Sequence, residues 1–169
     1  VILCVGAVNS SHKRMDWMIQ EFSKLDPVKF FLWIVGQPEA ETEGVKDLAK
    51  YLLKPSSYQF DVIPYTEMPN VYAIADYFAL CSLSEGFGKV YIEAMAAGLP
   101  VIAHRNPNTE WILNSDNLGL VDMTVPDDLK NKILYFEQHT SSKNLQKNLN
   151  RSTVYKNFDW ESLYPQYLS

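Results

Sequence analysis

Apolar and polar residues follow two rhythms along this chain: short unbroken apolar runs, and longer stretches with apolar residues three and four apart. Val1 to Val5, closed by Gly6, is a run of the first kind and predicts a buried strand. Lys13 to Leu25 is of the second kind, with Met15, Met18, Ile19 and Phe22 on one helical face, a stripe read as core. Lys29 to Val35, closed by Gly36, predicts a second strand. Glu41 to Leu53 predicts an amphipathic helix with Val45, Leu48 and Leu52 inward and its charges on a solvated face. A third strand is expected over Tyr58 to Pro64, a short helix over Val71 to Asp76, and a fourth strand over Tyr77 to Leu83.

The second half continues the alternation. Lys89 to Ala97 has helical composition with Val90, Ala94 and Ala97 on one face, and Gly98 stops it as a C′ glycine. Pro100 opens a fifth strand, Val101 to Ala103, followed by a short helix, Thr109 to Leu113, and a sixth strand, Leu118 to Val121. Pro126, Asp127 and Asp128 begin another helix with Leu129, Ile133 and Phe136 inward. Ser141 to Ser169 reads as a helical tail offering Leu145, Leu149, Val154, Tyr155 and Phe158 for packing. Strands alternating with helices predict an α/β fold, a Rossmann-like doubly wound parallel sheet of about six strands with helices on both faces. We expect one domain over 1–169, a core over 1–140 and the tail over 141–169. In the strand order 3-2-1-4-5-6 a crevice opens between the first and fourth strands, at the loops Ala7 to Lys13 and Ser82 to Gly88.

Composition narrows the function classes. The 15 basic and 20 acidic residues give a net charge of −5, which argues against general nucleic-acid binding. No apolar run approaches the roughly 18 residues of a membrane span, and no signal peptide is visible. Cys4 and Cys81 fall inside predicted strands and read as small buried hydrophobes, without a disulfide, in a reducing compartment. No Cys or His stands at metal-ligand spacing. Because the sequence opens on Val1 inside a strand-like run, it is expected to belong to a longer protein.

Chemistry concentrates between Ser82 and Ala103. A strand end, a turn flanked by Gly86 and Gly88, and a helix start make an anion site, because the first helical N–H groups lack partners and the helix dipole favours negative charge. Two carboxylates, Glu85 and Glu93, frame it. Each has an ordinary reading, Glu85 as a dipole partner and Glu93 as an i, i+4 partner of Lys89. Together they form E-x7-E. His12, Lys13 and Arg14 after the first strand, Lys89 after the fourth, and His104 and Arg105 after the fifth bring positive charge to the same edge.

Ser82 followed by EGFGKVYIEAMAAGLPVI, with NVYAIADYFAL before it, Glu110-Trp111-Ile112 and Gly119 to Met123 after it, and a terminal FDWESLYPQYLS, resembles a known family over nearly the whole chain. It is the C-terminal, donor-binding half of retaining GT-B glycosyltransferases of the group 1 type. The resemblance implies a UDP- or GDP-linked sugar as substrate, with no cofactor and no metal. It assigns Glu85 to donor-sugar hydroxyls and Lys13 to the phosphates as the catalytic pair. The backbone of Gly86, Phe87, Gly88, Lys89 and Val90 would meet sugar and diphosphate, and Glu93 the ribose hydroxyls. The base would lie near Ile63, Pro64 and Tyr65. An acceptor glycan or lipid would be held by an N-terminal domain of the same protein or by a partner chain, in the cytoplasm or peripherally at the membrane.

This sequence departs from the pattern in places. Ala7 stands where a basic residue is usual, Arg14 where glycine is usual, and the first loop is about one residue longer, so Arg14 or Lys89 would stand in on the diphosphate. Asn106 to Glu110 replaces a glycine-rich segment, with Glu110 expected to cap or orient it. His12 and His104 read as loop residues or phosphate neighbours. Two other readings stay open: a non-catalytic or partner-dependent nucleotide-sugar-binding module, and another GT-B enzyme. The E-x7-E segment disfavours a nucleotide-sugar epimerase, and the lack of a pyridoxal-phosphate lysine motif disfavours a phosphorylase.

Overall fold

The computed structural model describes residues 1–159 and 161. Six strands form one sheet: β1 (Ile2–Val5), β2 (Leu32–Val35), β3 (Tyr58–Asp61), β4 (Tyr77–Leu80), β5 (Val101–His104) and β6 (Leu120–Val121). They pair in parallel throughout, in the order β3-β2-β1-β4-β5-β6. The helices are α1 (Met15–Phe22), α2 (Thr42–Leu52), α3 (Met68–Ile74), α4 (Lys89–Ala96), α5 (Pro107–Leu113), α6 (Asp128–Gln138) and α7 (Thr140–Phe158). Right-handed crossovers send α1 and α2 to one face and α4 and α5 to the other, because the strand order reverses between β1 and β4. α1 accordingly packs on α2 and α6, and α4 on α5 and α7. The reversal sets the loops at the carboxyl ends of β1 and β4 side by side, at the place where the strand order leads a crevice to be expected.

Ile2, Leu3, Phe78, Ala79 and Leu80 are fully buried, as strands covered on both faces require, whereas the edge strand β3 is only partly covered. β3 and β4 end sooner than the apolar pattern suggests, at Asp61 and Leu80. α4 stops where expected. Gly98 has φ 78°, its N–H meets the Met95 carbonyl at 2.9 Å, and the Leu99 N–H meets the Ala94 carbonyl at 3.0 Å, a Schellman closure.

Helix phasing differs from the sequence pattern in three places. α2 buries Thr42, Val45 and Ala49, leaving Leu48 half-covered and Leu52 exposed. α4 buries Tyr91, Ala94 and Met95, with Val90 and Ala97 flanking, since the larger Tyr91 fills the space edge-on against Phe78 at 6.0 Å. α7 turns its polar side inward: Gln146, Asn150 and Thr153 are buried while Leu145, Leu149 and Tyr155 are exposed.

The inward amides of α7 satisfy backbone that would otherwise be stranded. Gln146 accepts from the Leu118 N–H at 3.0 Å, and Asn150 donates to the Leu99 carbonyl at 2.7 Å. Asn117 donates to Asn150 at 3.1 Å and Asn114 to Thr153 at 2.9 Å. Residues 160 and 162–169 of the expected tail lie outside the described residues. Among the described residues no helix is long and apolar enough to cross a membrane.

Candidate functional site

The loop after β1 is held by side chains from the β2–α2 connection. The Asn9 carboxamide oxygen accepts from the N–H groups of His12 at 3.1 Å and Lys13 at 2.6 Å, and its nitrogen donates to Glu39 at 2.6 Å. Glu41 accepts the Ser10 and Ser11 N–H groups, each at 2.8 Å, together with the Ser10 hydroxyl. These hydrogen bonds favour the charged carboxylate and pull its pKa down to about 2. Asn9, Glu39 and Glu41 escaped the sequence reading, since contacts 30 or 31 residues apart leave no periodic signal.

A lowered folded-state pKa fixes the direction of a pH effect. The Glu41 contribution to loop order is complete above the ordinary carboxylate range near 4.5 and is lost as pH falls towards about 2. The Ser10 and Ser11 amide resonances are therefore expected to titrate near pH 2. A midpoint near the ordinary value would show that the clamp is not formed.

Arg14 precedes α1 at φ 52° and ψ 47°, a left-handed conformation that costs a non-glycine residue roughly 1–2 kcal/mol. Its guanidinium donates to the Met123 carbonyl at 2.8 Å and lies 4.7 Å from the centre of the Trp17 ring, contacts that offset the strain. Arg14 is thereby tied to the segment after β6. Lys13 instead crosses the crevice. Its ammonium lies 2.7 Å from both oxygens of Glu85, with the side chains 15% and 9% exposed. His12 adds a second bridge, with Nε2 3.2 Å from the Ser84 carbonyl.

The segment after β5 holds the glycine turn from the other side. Asn108 donates to the carbonyls of Glu85 at 3.1 Å and Gly86 at 3.2 Å, and Asn106 to that of Leu83 at 2.8 Å. A trans peptide sets N–H opposite C=O, so the amides of Gly86 and Phe87 point away from α5. Among the described residues no acceptor meets the N–H groups from Gly86 to Val90. Capping of α5 falls to Asn106 and Thr109, which form a reciprocal box, and not to Glu110, which pairs with Arg105 at 2.8 Å. His104 accepts the Met123 N–H at 3.1 Å on Nδ1.

One face of α4 carries Glu93. Its Oε1 accepts the Tyr65 hydroxyl at 3.0 Å and its Oε2 the Tyr72 hydroxyl at 2.8 Å. Lys89 sits 3.8 Å from Glu93 and 4.5 Å from the centre of the Tyr65 ring, so its charge serves this end of the site while Lys13 serves Glu85. A groove of about 550 Å³ runs from Glu93 between α3 and α4, lined by Tyr65, Met68, Pro69, Tyr72 and Ala97. Ile63 is half-buried. Beneath the crevice, burial pushes the Cys4 thiol up to about 12 and that of Cys81 well up, and both are free, which makes them unreactive core.

The assembled surface therefore offers an ammonium and outward amides for an anion, one carboxylate beside them, and a second carboxylate beside an apolar groove.

A sequence profile described as "Glycosyl transferases group 1" matches residues 1–139. The chain is 34% identical over 165 residues to an uncharacterized glycosyltransferase of Methanocaldococcus jannaschii, covering 94% of this chain and 44% of that relative. Two of the crystal structures that share the fold span almost the whole of this chain. A glycosyltransferase from Rickettsia africae superposes with a TM-score of 0.85 at 24% identity, over 99% of this chain and 46% of that one. The HepE protein of Anabaena, solved in complex with UDP, gives 0.84 at 19% identity, over 98% and 47%. The chain spans less than half the length of the curated relatives it matches.

Proposed function

The chain belongs to the group 1 glycosyltransferases, and on that premise we propose that it is the donor-binding domain of a retaining enzyme that takes a nucleoside-diphosphate sugar. Lys13 and the amides from Gly86 to Val90 hold the diphosphate, Glu85 the sugar hydroxyls and Glu93 the ribose. The base lies by Ile63 and Tyr65, and Lys89 adds charge beside the ribose. In the transfer, the bond from the anomeric carbon to the diphosphate oxygen breaks, and the oxygen of an acceptor hydroxyl takes its place with the same configuration, its proton going to the departing diphosphate. Positive charge and fixed dipoles at the departing diphosphate lower that barrier. The acceptor, a glycan or lipid, is held by a further domain of the same protein or by a partner chain. The reading places the reaction in the cytoplasm or at the membrane face.

The observation that carries this reading is the convergence of Lys13, Glu85 and the free turn amides at the β1–β4 crevice. A diphosphate fits the ammonium and amides, and a polyhydroxyl group fits the adjoining carboxylate. Calorimetric titration with UDP and GDP tests it: at least one should bind at millimolar concentration or below, and binding of neither overturns the proposal. Glu93→Ala should weaken free nucleotide about tenfold, the scale of a lost charged hydrogen bond. Glu85→Ala should spare the nucleotide and weaken the sugar-linked form. Equal losses in both variants would contradict the assigned roles.

A further inference from the structure

The two tyrosines that meet Glu93 differ in their surroundings. Tyr72 is 3% exposed, is carried on α3 and packs against Phe78 with ring centres 6.2 Å apart. Tyr65 is 65% exposed, in the connection from β3 to α3, with Lys89 over its ring. Each binds a different oxygen of the same carboxylate. A glutamate on an open helix face is free to turn about its side-chain bonds. A buried hydroxyl on one oxygen removes that freedom and sets the plane of the carboxylate. The hydroxyl on the other oxygen is in water and can be exchanged for a ligand hydroxyl.

We propose that Tyr72 is a positioning residue that fixes Glu93 for the paired hydroxyls of a ribonucleoside, and that the Tyr65 hydroxyl is the resting occupant those hydroxyls displace. The inference rests on the ribose-binding reading of Glu93. Each carboxylate oxygen has two lone pairs, so Oε2 can keep Tyr72 and still accept one ribose hydroxyl, while Oε1 takes the other as Tyr65 leaves. Departure of its hydroxyl frees the Tyr65 ring to lie on the base. Tyr72 cannot leave in the same way, because its ring is enclosed and its hydroxyl would be stranded without Glu93.

The test compares UDP with 2′,3′-dideoxy-UDP by calorimetry on the wild-type chain, Tyr72→Phe, Tyr65→Phe, Glu93→Gln and the Tyr72→Phe/Glu93→Gln pair. Phenylalanine keeps either ring and removes only the hydroxyl. Tyr72→Phe should weaken UDP about tenfold and leave the dideoxy nucleotide unchanged. On a Glu93→Gln background it should have no further effect, since the two side chains act through one another. Tyr65→Phe should bind UDP as well as the wild type or better. Equal losses for both nucleotides in Tyr72→Phe, or none, overturn the positioning role. A Tyr65→Phe loss as large as that of Tyr72→Phe overturns the displaced-occupant role. Wild-type chain that binds neither UDP nor GDP overturns the nucleotide-sugar reading itself, and this inference with it.

Discussion

Lys13→Met is expected to lower the stability of the ligand-free protein by about 3 kcal/mol, and adding Glu85→Gln to return most of that loss. The reason is asymmetry. Lys13 is the cation that holds both oxygens of Glu85, and the two side chains are largely withdrawn from water. Removing one member leaves a desolvated carboxylate without compensation, a change that costs roughly 3–5 kcal/mol for buried pairs, whereas removing both charges is close to neutral. For a chain of this size each kcal/mol moves the melting temperature by about 2–4 °C, so the single variant should melt roughly 6–12 °C lower. Thermal and denaturant melts of the wild type, both singles and the double decide it. A double variant no more stable than Lys13→Met would show that the pair does not hold in solution. If the proposed function holds, the same substitution in the complete transferase should lower the transfer rate about 10²–10³-fold, the scale of removing one preorganised charge from a transition state.

Under the proposed function, the pair also sets how the site would receive a donor. Without ligand, Lys13 neutralises Glu85, and a diphosphate must draw the ammonium away from it. A free nucleotide leaves Glu85 without a replacement partner, whereas a nucleotide sugar brings hydroxyls to the carboxylate as the lysine turns. This is the physical ground for expecting Glu85→Ala to separate free nucleotide from sugar donor, and it requires no movement of the sheet.

Sheet topology was legible because the inner strands are short apolar runs, only the edge strand β3 alternating apolar with polar residues, and parallel crossovers keep one handedness. The crevice followed from the order. Helix phase was less legible: on α4 an alanine-rich surface hid the fact that Tyr91 and Met95 set the buried side. On α7 the apolar residues were a partial guide: Val154 and Phe158 pack against the core, whereas Leu145, Leu149 and Tyr155 are exposed, because the helix is also retained by amides that satisfy backbone at Leu99 and Leu118. The loop clamps by Glu41, Asn106 and Asn108 were invisible for a similar reason. A polar side chain that holds a distant backbone group has no period, and its partner is set only once the sheet brings the two loops together. What the residues in the turn did carry was the pair of glycines, and those two differ in what they do.

Gly88→Ala is expected to cost about 3 kcal/mol of stability, and Gly86→Ala very little. Gly88 precedes α4 at φ 71°, where an L-residue pays roughly 1–2 kcal/mol. A methyl group there would stand 2.7 Å from Ile112 Cδ1 and 2.9 Å from Tyr91 Cδ2. Tyr91 is fully buried and Ile112 lies in the core, so relief requires both to shift, an overpacking cost of about 1–3 kcal/mol. At Gly86 an added methyl meets nothing within 4 Å, and the backbone is not left-handed. If the amides beside it receive a diphosphate, that open space is where the ligand's oxygens approach, and a methyl group there obstructs them. Gly86→Ala should therefore melt like the wild type and bind a nucleotide sugar about tenfold or more weakly, whereas Gly88→Ala loses both stability and binding. A Gly86→Ala protein that melts and binds as the wild type would mean the turn is shaped for α4 and Ile112 alone, and that the diphosphate meets the chain elsewhere.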